Sequence, residues 1–392
     1  MPKQSIVIVA GTRPEVIKMA PVYSALKQSE IIQPLFVSTG QHRHMLDQAF
    51  AVFGLRPDVE LKLMQPGQTL PDLTGRVILA MTSALRELKP AAILLQGDTT
   101  TVLGSALAAF YERVPIGHVE AGLRTWNMQS PFPEEMNRRL TSPLAQWNFC
   151  PTDLSRENLL REGIPAATCH VTGNPVIDAL LSVRDRVRAK QVKPGEVAGR
   201  LGIPSTFMQQ FLAEPGRRWI LVTGHRRESF GAGFEKICEA INRLTEVHPD
   251  LGVLYPVHLN PQVQEPVKRL LGKNTRVALV QPADYEDFIW LMDRCTLALS
   301  DSGGVQEEAP SLGKPVLVMR ETTERPEGVT AGTCTLVGTD PDRILREVGI
   351  LLSDPAEYAR RAALRNPYGD GQASVRIRAI LERTLEGPQA HA

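Results

Sequence analysis

Along nearly its whole length the chain alternates short apolar runs, which read as buried strands, with longer segments of helical periodicity. No other feature narrows the fold so far. Strands that are apolar throughout must be covered on both faces, and the helices between them supply the crossovers that parallel strands require. Runs at 6–10, 34–38, 91–95, 115–119, 148–150 and 170–172 form one set. Runs at 219–222, 252–257, 276–280, 296–300 and 316–319 form a second. Charged, turn-rich sequence at 183–202 reads as the linker between them. The expectation is an α/β chain of two Rossmann-like, doubly wound domains, 1–182 and 183–366, with a last helix near 374–385 and a disordered tail at 387–392. A length of 392 residues suits two domains of this size.

In such sheets ligands bind outside the carboxyl ends of the strands, and the unusual polar clusters fall there. The stretch Asp301-Ser302-Gly303-Gly304, running on to Glu308, joins a strand to a helix. Free N–H groups of a first turn, two glycines that let an anion approach, and a serine hydroxyl would suit a phosphate. Glu308 could then accept from ribose hydroxyls. An ordinary turn capped by Asp301 or Ser302 is the plain alternative. Asp98 follows one apolar strand and Glu120 another, while Glu134 and Glu135 open a helix after Pro133. Singly, each has a capping or dipole explanation. Together, carboxylates at one sheet edge form a general acid/base constellation. Arg13 and Lys18 flank the first strand-to-helix turn and could hold a diphosphate, or be solvated charges. His225, followed by two arginines at a strand end, suits a diphosphate leaving group better than a core position. His258 reads more simply as a turn histidine bonded to nearby backbone.

Composition removes several classes. Net charge is +1 and aromatic content 5%, so neither nucleic acid nor an anionic membrane is an expected partner. There is no GxGxxG after the first strand, and GxxxxGK[ST], HExxH, CxxC and GxSxG motifs are absent. No NAD, ATP or metal requirement is expected. Five scattered cysteines and no signal-like or membrane-length apolar run fit a reduced, cytoplasmic protein.

A set of motifs carries a resemblance. GTRPEVIKMAPV (11–22), TGQHRHML (39–46), QGDTTTV (96–102), HVEAGLRT (118–125) and PFPEEMNRRLT (131–141) stand in order. TGNPVIDAL (172–180), TGHRRESFG (223–231), PVHLNP (256–261) and the long SDSGGVQEEAPSLGKPVLVMRETTERPE (300–327) follow. In combination they resemble the non-hydrolysing bacterial UDP-N-acetylglucosamine 2-epimerases. The resemblance implies a GT-B architecture with the two domains facing across a cleft and the C-terminal segment, 367–392, packing back on the first domain. It implies interconversion of UDP-GlcNAc and UDP-ManNAc without NAD or metal, in a homodimer. By motif, Asp98, Glu120 and Glu134 match catalytic carboxylates and His225 an active-site histidine. Arg13, Lys18, Ser302, Gly303, Gly304 and Glu308 match UDP-binding positions, with Arg325 a further substrate contact. An activating second UDP-GlcNAc site of some members corresponds to Gln41, Gln68, Arg226 and His258. Where some members carry arginine before the equivalent of Gln68, this chain has Gly67. A GT-B glycosyltransferase, a hydrolysing epimerase and a C-2 epimerase of a diacetamido uronic acid nucleotide are the competing readings.

Overall fold

The computed structural model describes residues 3–40, 43–65, 67–214, 216–226 and 230–386, without the side chains of 43–45. Gln41 and the tail 387–392 therefore lie outside the described residues. The chain divides into two compact units, one comprising 1–179 with 368–392 and the other 180–367.

The first unit carries a seven-stranded parallel sheet. Its strands are β1 (Gln4–Ala10), β2 (Ile32–Ser38), β3 (Val59–Glu60), β4 (Ala92–Gln96), β5 (Ile116–Val119), β6 (Trp147–Cys150) and β7 (Cys169–Val171), in the order β3-β2-β1-β4-β5-β6-β7. Side chains of β1 alternate between two cores. Ile6, Ile8 and Ala10 pack with Val16, Met19 and Leu26 of the helix Arg13–Lys27. Val7 and Val9 pack instead with Met81 and Leu85 of the helix Leu70–Leu88 and Val102 and Ala106 of the helix Thr100–Tyr111. That is the period of two a doubly covered strand must show. The C-terminal helix Ala373–Glu386 adds Ile377 and Leu381 to the first of these cores. Each buries a side chain worth roughly 1.5–3 kcal/mol. Asp178 accepts from the N–H groups of Ala373 (3.2 Å) and Ser374 (2.8 Å) and so caps this helix.

The second unit holds six parallel strands: β8 (Trp219–Thr223), β9 (Gly252–Pro256), β10 (Val277–Val280), β11 (Leu297–Ser300), β12 (Val316–Val318) and β13 (Cys334–Leu336). Their order is β10-β9-β8-β11-β12-β13. Both sheets reverse strand order once, between β1 and β4 and between β8 and β11. These are the topological switch points at which a doubly wound sheet opens a crevice. Two Rossmann-like α/β units in one chain make up the expected GT-B type.

The expected linker at 183–202 is not one. It lies in the helices Pro175–Ala189 and Pro194–Leu201. Their arginines gave the stretch its charged look, while Leu180, Val183 and Val187 recur on a buried helical stripe. All five cysteine thiols are buried and unpaired.

Candidate active site

In the first unit the chemistry gathers at the β1/β4 switch point. Thr12 caps the helix Arg13–Lys27, with Glu15 completing a capping box. The Glu15 carboxylate accepts the N–H groups of Gly11 and Thr12, each at 2.7 Å, and the hydroxyl of Thr99 at 2.6 Å. Burial raises its pKa and these hydrogen bonds oppose that. Because Thr99 caps the helix Thr100–Tyr111, Glu15 clamps the turn after β1 to the turn after β4. Asp98 is thereby freed from the capping role that its position allowed.

Asp98 accepts from Arg138 Nη1 at 2.7 Å, and Asn137 donates to the Asp98 carbonyl at 2.8 Å. Its pKa is raised: burial is the main cause, reinforced by the negative charges of Glu120 and Glu134 and opposed by Arg138 and Lys18. Behind it, the ring of His118 is fully buried and Nε2 lies 2.7 Å from the Gly97 carbonyl, which fixes the Gly97 turn. Burial pushes this imidazole down to about 4.

Glu120 follows β5 with a left-handed backbone (φ 65°) and is only 5% exposed. A bulky residue in that region costs about 1–3 kcal/mol, and such strain concentrates at working sites. Lys18 Nζ reaches both carboxylate oxygens, at 2.6 and 2.7 Å. Asn174 donates to Oε1 at 3.1 Å, and the Gln96 amide donates to Oε2. Lys18, expected beside Arg13 as a phosphate ligand, is thus the counterion of a carboxylate. Arg13 is half-buried and makes no ion pair with a described residue. Glu134 is the first residue of the helix Glu134–Thr141, half-buried and near enough to Asp98 to repel its charge.

In the second unit the β8/β11 switch point collects the other group. Ser302 is the N-cap of the helix Gly303–Glu308, and its hydroxyl makes no cap hydrogen bond. The helix has six residues, continued by the 3-10 turn Ala309–Leu312 and stopped by Gly313 in a left-handed conformation. So short a helix has a small dipole, so its N–H donors and nearby cations must supply most of any attraction for an anion. The cations are at hand. Arg325 lies against Gly303 so closely that a β-carbon there would run into the guanidinium. Arg325 also binds Glu307 (2.5 Å) and Glu324 (2.6 Å), while Arg320 (2.6 Å) and Arg226 (3.7 Å) approach the same Glu324. Burial would raise the Glu324 pKa, yet Arg325 and Arg320 bring it down to about 2. Gly304 faces open space, the nearest atom to an added β-carbon being Ser302 Oγ at 3.8 Å. Glu308 is buried and accepts from the Tyr285 hydroxyl at 3.1 Å.

His225 follows β8 with its ring stacked on His258, centroids 5.5 Å apart and planes 17° from parallel. Burial lowers its pKa, the charges of Arg226 and His258 add to this, and Asp301 opposes them. His258 Nδ1 accepts the Asn260 N–H at 3.1 Å, the turn bonding expected of it. Gln68 is half-buried and donates to Met64 Sδ at 2.7 Å. It belongs to the first unit, whereas Arg226 and His258 belong to the second.

Several participants carried no usable sequence signal. Tyr285 is brought in by tertiary packing alone, while Glu324 stands inside the quoted 300–327 motif beside Arg325. Gln96 and Asn174 stand inside motifs already quoted, and a polar residue ending an apolar strand at 96 was the available clue. A cavity of about 380 Å³ lined by Phe211, Trp219, Trp290 and Arg294 lies at the amino end of β8 and includes none of these residues. Among the described residues no group of three or more His, Cys, Asp or Glu side chains is placed to hold a metal ion.

Comparison with known proteins identifies the family. Residues 24–382 match the family model described as UDP-N-acetylglucosamine 2-epimerase. The UDP-N-acetylglucosamine 2-epimerase of Escherichia coli is 52% identical over 372 residues, covering 95% of this chain and 96% of the relative. A crystal structure of the Neisseria meningitidis UDP-GlcNAc 2-epimerase bound to UDP-GlcNAc is 44% identical, with a TM-score of 0.87 over 98% of this chain and 100% of that one. The Methanocaldococcus jannaschii enzyme, solved in complex with UDP-GlcNAc and UDP, is 30% identical, with a TM-score of 0.77 over 97% of this chain and 99% of that one. With this identity spread over nearly the full length of both sequences, the chain belongs to the UDP-N-acetylglucosamine 2-epimerase family.

Proposed function

We infer that this protein interconverts UDP-GlcNAc and UDP-ManNAc at C-2 without hydrolysing either, and that it does so without NAD or a metal ion. The observation that carries the reading is the carboxylate cluster at the β1/β4 switch point, Asp98 with Arg138 and Glu120 with Lys18. The C-2 proton of an N-acetyl sugar is only weakly acidic, so direct deprotonation is a poor route. Loss of the C-2 proton with departure of UDP from C-1 gives a 2-acetamidoglucal. Protonation of C-2 on the opposite face and return of a diphosphate oxygen to C-1 then give the epimer.

Such a scheme needs a group that takes and returns a proton near neutrality. Asp98, with a pKa raised by burial, is suited to that work. Glu120 and Glu134 are the further carboxylates of the set. The departing diphosphate needs donors and cations, and Ser302, Gly303, Gly304, Arg325 and His225 are the proposed holders, with Glu308 for the ribose and with Arg13 and Lys18 the further candidates that the motifs supply from the first unit. Arg226, His258, Gln68 and Gln41 are kept as the proposed activating site. The working form we propose is a cytoplasmic homodimer. Exposed Leu79, Phe110 and Tyr111 on two neighbouring helices of the first unit support a covered face there.

Product analysis tests the reading. Incubation with UDP-GlcNAc alone, resolved by anion exchange, should yield UDP-ManNAc and no accumulating free ManNAc. Free ManNAc with equivalent UDP would make the protein a hydrolase, and inertness would favour a modified sugar substrate.

A further inference from the structure

Asp301 has no part in the proton chemistry above, yet it is 1% exposed and follows β11 directly, beside His225. Its Oδ2 accepts the backbone N–H groups of His225 (2.7 Å) and Arg226 (2.8 Å). Its own N–H donates to the Thr223 carbonyl at 3.1 Å. The turn after β8 is thus tied to the end of β11. There is little room for that turn to move, because the Tyr255 hydroxyl donates to the Gly224 carbonyl at 3.1 Å and a β-carbon at 224 would come 2.9 Å from the same hydroxyl.

The other oxygen, Oδ1, is buried without a hydrogen bond, 3.3 Å from His225 Nδ1. An unsatisfied buried acceptor is costly, and hydrogen bonds of this kind are often long in an empty site and tighten when ligand arrives. The His258 ring stacked on His225 restricts the imidazole from a second direction. His225 Nε2 makes no hydrogen bond with a described residue.

We propose that Asp301 is a positioning residue for His225: its uncommitted Oδ1 takes the Nδ1–H of the imidazole, fixing ring and tautomer so that Nε2 is the nitrogen left for the diphosphate of the nucleotide sugar. The identity of that ligand rests on the epimerase reading. When Nε2 takes a proton from solvent, the imidazolium lies between two anions, Asp301 and the diphosphate, with a charge-assisted hydrogen bond to each. Asparagine at 301 keeps an oxygen for the two backbone N–H groups but turns an NH2 toward Nδ1, which enforces the opposite tautomer.

Long-range proton–nitrogen spectra of protein labelled with 15N-histidine read the tautomer directly. His225 is assigned among the eight histidines by the signal lost in His225→Gln. The wild type should show a protonated Nδ1 and a bare Nε2 at His225. In Asp301→Asn the two should exchange, with kcat down on the order of a hundredfold or more and KM for UDP-GlcNAc within about threefold of wild type. A bare Nδ1 in the wild type would overturn the proposal, and so would a loss of kcat in Asp301→Asn with the tautomer unchanged. Should that variant fail to fold, the wild-type spectrum alone decides. A protonated Nδ1 in a protein inert toward UDP-GlcNAc would support the Asp301 contact and contradict the epimerase reading.

Discussion

Asp98 and Glu120 end neighbouring strands, but they meet different partners. Arg138 takes one oxygen of Asp98, while Lys18 and two amides crowd Glu120. If both serve the proton transfers, Asp98→Asn and Glu120→Gln should each lower turnover by about 10²–10⁴-fold. UDP binding, measured calorimetrically, should stay within a fewfold of wild type, and unchanged turnover would remove that residue from the mechanism. His118 makes a prediction about pH. Its folded pKa of about 4 lies below the ordinary imidazole value of 6.5. The unfolded chain therefore binds the proton first, and stability present above pH 6.5 is lost as pH falls toward 4. The loss is on the order of 3 kcal/mol. Urea unfolding of wild type and His118→Asn at pH 7 and pH 4 should show the wild type losing more by about that amount. Equal losses would contradict the assignment of a neutral, buried imidazole.

Between elements, the turns matter more than the strands they end. Gly122 (φ 91°) brings the chain past the helix Asp153–Arg161, and a β-carbon there would strike the Ser155 carbonyl. Fixed backbone cannot yield as a side chain can, so Gly122→Ala should destabilise by roughly 3 kcal/mol or more. Gly199 sits exposed in the helix Pro194–Leu201 with open space around it. There the same substitution should stabilise by about 0.5–1 kcal/mol. Thermal melting of the two variants checks both signs. The same elements show what was legible beforehand. Strands such as Ala92–Gln96 were readable because parallel strands are apolar on both faces, and Asp98, Glu120 and His225 stood out because they end such runs. The two-residue β3 is too short to leave a pattern, and β13, Cys334-Thr335-Leu336, sets a polar residue between its two apolar ones. The helices over 183–202 were hidden by arginines on their exposed faces. Pairings such as Lys18 with Glu120, or Tyr285 with Glu308, join residues far apart in sequence. No local pattern encodes them.

At the scale of the whole molecule, two sheets with the same kind of switch point carry different chemistry. The first unit gathers carboxylates, and the second gathers arginines, a histidine and a glycine-rich turn. The exposed apolar residues Leu79, Phe110 and Tyr111, respectively 72%, 55% and 66% exposed, give the proposed dimer its test. Sedimentation should find a dimer for the wild type and a monomer for the Leu79→Asp, Phe110→Asp double variant. A dimer in both would place the interface elsewhere. Proton NMR of the protein with UDP-GlcNAc in heavy water, with no nucleotide cofactor or metal added, reads the proposed reversible C-2 epimerisation through loss and return of UDP. UDP-ManNAc should grow in with deuterium at C-2, and the UDP-GlcNAc pool should lose its own C-2 proton signal as the reaction runs back. UDP-ManNAc that keeps a proton at C-2 would contradict the account.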